Sequence, residues 1–467
     1  METLEGKIVD VVSKTIFDGR ISIENGKITK VEHCKVKSQK YIMPGFVDSY
    51  TMFETSMLSP QQYAASVLQY GVVSLLLYPK GCCSVLGEKG FEYVMREFDK
   101  TPLKCKYFAP GELLENIFDC DYFDLDPDKV LKLFKNKNFY GCVRTNFYEA
   151  NYNSIAFIDK DDYENVQLSS LLCRADEYGK RNLKSAFFLF LDDEVDFFEV
   201  LETCTIKPIT EFALDVGLLQ EGDSADLILV DDLKSLNNES VYISGNKVFD
   251  NGKPCYQVGQ SEIINKFHCK NFSVSDLFIP AKSSKINVIQ ISNKPLETKQ
   301  ISAKPLVQNS NVISDTKHDI LKVLYINRTQ NEEIVKAFVN GFNLKFGAIA
   351  CCTSWYKQNI LCVGADDESM VKAINTIVRN RGGLAVCTGT NVFDLKLPIG
   401  GFLTDVSREI FEESYNKLLM ICKTLGCKLK DPLTILSSLT SLLLPEIRIT
   451  EDGVYNFEED EYVTLFA

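Results

Sequence analysis

The stretch Gln61-Gln-Tyr-Ala-Ala-Ser-Val-Leu-Gln-Tyr70-Gly-Val-Val-Ser-Leu-Leu-Leu77 sets a helix-like segment over 61–70 directly before an apolar strand-like run over 72–77. The alternation continues outward, with a strand at 41–46 before it and helices at 90–98 and 127–135 after it. Strands that alternate with helices pair in parallel through crossover connections, which predicts an α/β layer or barrel for the central part of the chain.

The flanks follow a different grammar. Residues 7–31 alternate as short strands with the turn-forming pairs Asp18-Gly19 and Asn25-Gly26 between them, a hairpin signal. It returns at 225–231, a strand, and at 241–248, a hairpin around Gly245-Asn246, so the two flanks are expected to complete one sheet. From 255 to about 315 the composition turns Lys/Ser/Asn/Pro-rich, which predicts a linker and a boundary near 255–290. The last third mixes strands (322–327, 348–352, 360–363, 384–388) with helices (369–379, 407–425) and reads as an α+β domain.

The formal net charge of −13 and the lack of a Lys/Arg-rich run exclude a surface that tracks phosphates, so no nucleic-acid partner is expected. The most apolar runs, 72–77 and 186–191, fall far short of the ~20 residues of a membrane span. The first ten residues carry no basic stretch followed by an apolar one, so the chain is expected to stay in the cytoplasm. Sixteen cysteines are scattered, with adjacent pairs at Cys82-Cys83 and Cys351-Cys352 and no C-x-x-C, and they read as buried reduced thiols. Pro254-Cys255 is followed by Tyr256, Gln257 and Val258, so the cytidine-type zinc deaminase signature is missing. There is no phosphate-binding G-x-x-x-x-G-K-S/T loop and no G-x-S-x-G elbow.

Tyr41-Ile-Met-Pro-Gly-Phe-Val-Asp-Ser49 and Glu54-Thr-Ser-Met-Leu-Ser-Pro-Gln-Gln62 resemble the region around the first barrel strand of the adenine deaminases, in the metal-dependent amidohydrolase superfamily. The resemblance runs on through Gln69-Tyr-Gly-Val-Val73, Val85-Leu-Gly87, residues 222–232 and 342–350, Leu397-Pro-Ile399, Asp431-Pro432 and Pro445-Glu446. It implies a shortened (β/α) TIM-like barrel over 43–213 and a composite β-sandwich from 1–42 and 214–255. A linker with the start of the C-terminal lobe would follow at 256–310, and an α+β domain at 311–467. The family reaction is the hydrolytic deamination of adenine to hypoxanthine, through manganese or iron held by histidines.

Those histidines have no counterparts here. The family's His-x-His falls on Tyr50 and Met52, its Asp-Pro-His-Glu on Tyr78-Pro79-Lys80-Gly81, and its C-terminal His-Asp-Ser-His on Trp355-Tyr356-Lys357-Gln358. Two further β/α units with their ligands would have to fit in 148–171, and since a βαβ unit takes about 30 residues the interval cannot hold both. The chain holds three histidines, His33, His268 and His318, all read as solvated surface residues. Asp192-Asp193 aligns with the family's last carboxylate, the general acid/base of an intact enzyme, and reads equally well as the N-cap of a helix over 195–201. The expectation is a pseudoenzyme without metal cofactor, a binding or assembly partner that self-associates or joins an intact paralogue, with a purine as its conceivable ligand. The alternative is an active purine hydrolase whose metal sits on Cys82, Cys83, Cys351 and Cys352.

Overall fold

The computed structural model describes residues 1–110, 139–143, 196–293, 297–329, 334–354, 358–441 and 446–467. The chain opens with β1 (Glu2–Asp10), β2 (Thr15–Glu24), β3 (Lys27–His33) and β4 (Tyr41–Pro44). It continues through β5 (Phe46–Thr51), α1 (Pro60–Leu68), β6 (Val72–Leu77), α2 (Lys80–Leu86), α3 (Glu88–Phe98), β7 (Lys104–Pro110) and β8 (Phe139–Val143). After α4 (Phe197–Thr203) and α5 (Ile206–Glu211) it returns as β9 (Leu227–Val230), β10 (Asn238–Ile243), β11 (Asn246–Asp250) and β12 (Lys253–Pro254).

Strands from both flanks make one eight-stranded sheet, in the order β12-β11-β10-β9-β4-β1-β2-β3. Its core is Ile8, Ile21, Ile23, Ile28, Ile42, Ala225, Leu227 and Tyr242. The Asn25-Gly26 pair does turn the chain, with φ of 50° and 79°, the double positive φ that a tight hairpin needs. Asp18-Gly19 does not. Both residues lie inside β2, where Gly19 pairs with Gly6, and a Cβ on Gly19 would stand 2.6 Å from the Ile8 side chain. Glycine there answers a close approach of strands, which a turn signal cannot distinguish. The second hairpin turns at Ser244-Gly245, one residue earlier than the expected Gly245-Asn246.

β5, β6, β7 and β8 form a parallel sheet in sequence order. The six residues of β5 and of β6 are all buried, as fits a sheet covered on both faces. Ser59 caps α1 by accepting from Gln62 N–H, and Pro60 occupies the first helical position, where its missing N–H costs nothing. The strand expected at 41–46 is split at Gly45: β4 belongs to the eight-stranded sheet and β5 to the parallel one. A Cβ on Gly45 would lie 2.3 Å from a Val73 methyl, so only glycine passes the crossing. The segment 148–171 and the strand at 186–191 lie outside the described residues.

A second compact unit holds residues 262–467, with the short piece 84–86. It contains β13 (Ile286–Ile291), β14 (Thr298–Ala303), β15 (Leu306–Gln308), β16 (Asn311–Ile313), β17 (Leu321–Ile326), β18 (Ile334–Asn340), β19 (Ala348–Cys351), β20 (Ile360–Gly364), β21 (Leu384–Cys387) and β22 (Val392–Leu395). Its helices are α6 (Asp367–Asn380), α7 (Arg408–Thr424) and α8 (Pro432–Ser438). Eight of the strands form a sheet ordered β14-β13-β18-β17-β20-β19-β21-β22, and α6 covers one face of it through Met370, Ala373, Ile374 and Ile377. The Lys/Ser/Asn-rich stretch read as a linker thus supplies β13 and β14 to that sheet. Its polar residues alternate with buried Ile286, Val288, Ile289 and Ile291. No helix among the described residues is long and apolar enough to cross a membrane.

Candidate functional site

In a parallel sheet with crossover helices, loops gather at the C-terminal strand ends, and ligands bind there. Here the ends of β5 and β6 are tied by the Tyr78 N–H donating to the Thr51 carbonyl at 2.9 Å. Tyr50 and Tyr78, 3% and 1% exposed, stack with ring centroids 5.6 Å apart and planes at 28°. Met52 sits before a short 3-10 turn over Phe53–Ser56, and its carbonyl accepts from the Thr55 N–H and hydroxyl.

That turn delivers Glu54, which is buried, against the start of α2, where its Oε1 accepts from the Cys82 N–H at 3.1 Å. Burial pushes the Glu54 carboxyl up to about 7 against these backbone donors. Lys80, half-buried at the first position of α2, is pushed down to about 8 by burial, with Glu54 pulling the other way. Asp48, on β5, accepts from the Tyr50 N–H at 3.2 Å and is also driven up to about 7 by burial. Three buried polar atoms at these strand ends, Thr51 Oγ1, Glu54 Oε2 and the Tyr78 hydroxyl, have no hydrogen-bond partner. Such a cluster can hydrogen-bond a small polar molecule and hold a proton near neutral pH.

Asp48 escaped the sequence reading as a site residue, and Tyr78 entered it only as the counterpart of a family aspartate. The signal for Asp48 was there, since a carboxylate inside the apolar run Phe46-Val-Asp-Ser49 demands burial. Tyr78 only gains meaning once its ring is seen against Tyr50. The structure brings together Tyr50, Lys80 and Glu54, while Met52 contributes backbone. Asp192, Asp193 and Trp355 lie outside the described residues, and the helix near 195–201 is α4, capped by Asp196 accepting from the Phe198 N–H. Gln358, in the C-terminal unit, lies at φ 51° and its carbonyl accepts from the Cys352 thiol.

A manganese or iron centre does not fit the described donors. Its imidazole positions hold the Tyr50 phenol, the Met52 thioether and the Lys80 ammonium group in the field of Glu54, and none of these suits such a cation. Burial pushes the Cys82 and Cys83 thiols well above their ordinary range and Cys351 up to about 11, which opposes the thiolate form that metal binding requires. Burial also raises Cys352, against the pull of Arg328. Among the described residues no group of three or more His, Cys, Asp or Glu side chains is arranged to hold an ion. His33, His268 and His318 are all exposed, with His33 stacked on Phe17 and His318 bonded to Asp315.

The fold of the described residues is α/β in its central part. Residues 295–461 match the adenine deaminase C-terminal domain family. Over its full length the chain is similar to the adenine deaminase of Methanosarcina barkeri, 29% identical with 100% of each chain covered. It is similar too to the adenine deaminase of Salinibacter ruber, 24% identical over 100% of this chain and 99% of the other. The chain is thus similar to adenine deaminases along its whole length. The alignment with the Methanosarcina protein runs over 549 positions against 467 residues here, so part of that relative faces gaps in this chain. Among solved structures, the N-acetyl-D-glucosamine-6-phosphate deacetylase of Mycobacterium smegmatis is similar at 12% identity and a TM-score of 0.40, over 53% of this chain and 100% of that one.

Proposed function

We propose that this chain is an adenine deaminase-like protein that has lost the family reaction, the hydrolytic deamination of adenine to hypoxanthine, and serves as a binding or assembly partner. The observation that carries this reading is the filling of the strand ends. Buried Tyr50, stacked on Tyr78, and the cationic Lys80 stand where the family places imidazoles, with Lys80 in the field of Glu54. An ammonium there repels a divalent ion, and without a metal-bound hydroxide no carboxylate has a nucleophile to activate.

Purified protein, loaded with manganese or iron and given adenine, is expected to produce no hypoxanthine above a protein-free control, and elemental analysis to find less than one tightly held metal per chain. Turnover that disappears in Asp192→Asn or Asp193→Asn would overturn the reading. The double change Tyr50→His with Met52→His is expected to restore nothing, because affinity depends on the whole ligand shell. Any measurable rescue contradicts that.

The partner is either a second copy of this chain or an intact adenine deaminase paralogue in the same cell. A barrel shortened by two β/α units exposes unpaired strand edges unless something covers them, and a partner surface is one cover. Light scattering at micromolar concentration, with affinity purification from the native cell, is expected to give an assembly. A folded monomer with no recovered partner sinks this part of the proposal.

A further inference from the structure

Arg328 follows β17 in the C-terminal unit and is among the largest fully buried side chains of the described residues, at 1% exposure. Its backbone is fixed on both sides: its N–H donates to Asn359 Oδ1 at 3.1 Å, and its carbonyl accepts from the His268 N–H at 2.9 Å. Nη1 donates to Cys352 Sγ at 3.5 Å, and the guanidinium carbon lies 5.6 Å from the centre of the Phe267 ring. Nε and Nη2 have no hydrogen-bond partner.

A guanidinium does not shed its proton inside a protein, so its burial cannot be relieved by neutralisation as it can for a lysine or a carboxyl. Among the described residues the charge has no counter-ion. The Cys352 thiol is pushed up by burial and supplies no negative charge, and the Phe267 ring offers only its face. The two partnerless nitrogens are not scattered around the group. Nε and Nη2 point the same way from one edge of the plane, the edge that receives the two oxygens of a carboxylate in parallel. The Nη1 side is closed, because Gly401 lies so near that a Cβ on it would stand 2.1 Å from Nη1.

We propose that the Nε/Nη2 edge of Arg328 is a binding site for a small carboxylate. Charge selects among anions: one guanidinium balances a singly charged carboxylate, whereas a phosphate near two charges would be left half neutralised in a dry site. Lys322, another fully buried cation of this unit, is paired with Asp367 at 2.6 Å and does not add to the charge here. With Arg328 at 1% exposure the occupant is small, and its entry requires a local opening of the unit. This site is separate from the strand-end cluster and does not depend on the fate of the family reaction.

The test uses the full chain with sodium acetate, sodium formate, inorganic phosphate and sodium chloride at matched ionic strength. Acetate or formate at a hundredfold excess over its dissociation constant is expected to raise the melting temperature by about 5 °C, and chloride to leave it unchanged. The acetate shift is expected to vanish in Arg328→Met and to shrink in Arg328→Lys, which keeps the charge but not the fork. Should Arg328→Met fail to fold, the Nε–H resonance of Arg328 in the unchanged protein gives the same answer, and it is expected to move saturably with acetate. Equal shifts in chloride and acetate, a shift that persists in Arg328→Met, or an Nε–H signal indifferent to every carboxylate would overturn the proposal. A larger response to phosphate than to acetate would overturn the assignment to carboxylates.

Discussion

Asp48 carries a carboxyl into a strand whose residues are all buried, and desolvation moves it from its ordinary 3.8 to about 7. Between those values the folded chain keeps a proton that the unfolded chain has lost, so raising the pH across the window draws the equilibrium toward unfolding. The contribution is present in full below the unfolded value, falls from about pH 4 to 7 and is level above that. Glu54 acts in the same direction from 4.5 to about 7. Asn at position 48 keeps an acceptor for the Tyr50 N–H but has no charge to bury. Asp48→Asn is therefore expected to stabilise the protein by on the order of 3 kcal/mol at pH 8 and by almost nothing at pH 4. Urea unfolding at the two pH values measures it, and an equal effect at both would contradict the assignment. At this scale the sequence was legible in part: an acid inside Phe46-Val-Asp-Ser49 announces a buried charge. The strand ends were not, because a ring stack such as Tyr50 on Tyr78 depends on two residues 28 apart meeting through parallel pairing.

At the scale of elements, α6 begins with two aspartates that do different work. Asp366 caps the helix by accepting from the Ser369 N–H at 2.7 Å. Asp367 pairs with Lys322, whose side chain is fully buried. Asp366→Ala removes a cap and is expected to cost about 1 kcal/mol. Asp367→Ala leaves a buried ammonium with only the Leu277 carbonyl, and is expected to cost about 3 kcal/mol or more. Thermal unfolding of the two variants side by side tests the contrast, and equal losses would show that the ion pair contributes nothing beyond the cap. Periodicity found α6 and α7 well because their apolar residues recur on one face, and it found β17, β19, β20 and β21 because they are continuous apolar runs. It misplaced Asp18-Gly19 because a glycine that admits a neighbouring strand and a glycine that bends the chain look alike in sequence. It merged β4 with β5 because one apolar run served two sheets.

For the whole molecule, a protein that holds no metal, as proposed, should owe none of its stability to one. Chelation followed by added manganese is expected to leave the melting temperature within about 1 °C, since a bound ion stabilises in proportion to its occupancy. A rise of several degrees with manganese would argue for a hidden centre. The broad α/β architecture was readable because the order of strands and helices in the chain is also their order in the parallel sheet. The unity of the eight-stranded sheet was harder to see, since its two halves lie far apart in sequence. That separation matters for synthesis as well. β4 needs β9 beside it, with Tyr41 opposite Val230, yet a ribosome adding about 5–20 residues per second takes on the order of 10–40 s to travel from one to the other. Through that interval β1 to β4 stand with an open edge in a crowded cell, and the nascent chain depends on whatever keeps that edge from pairing with a stranger.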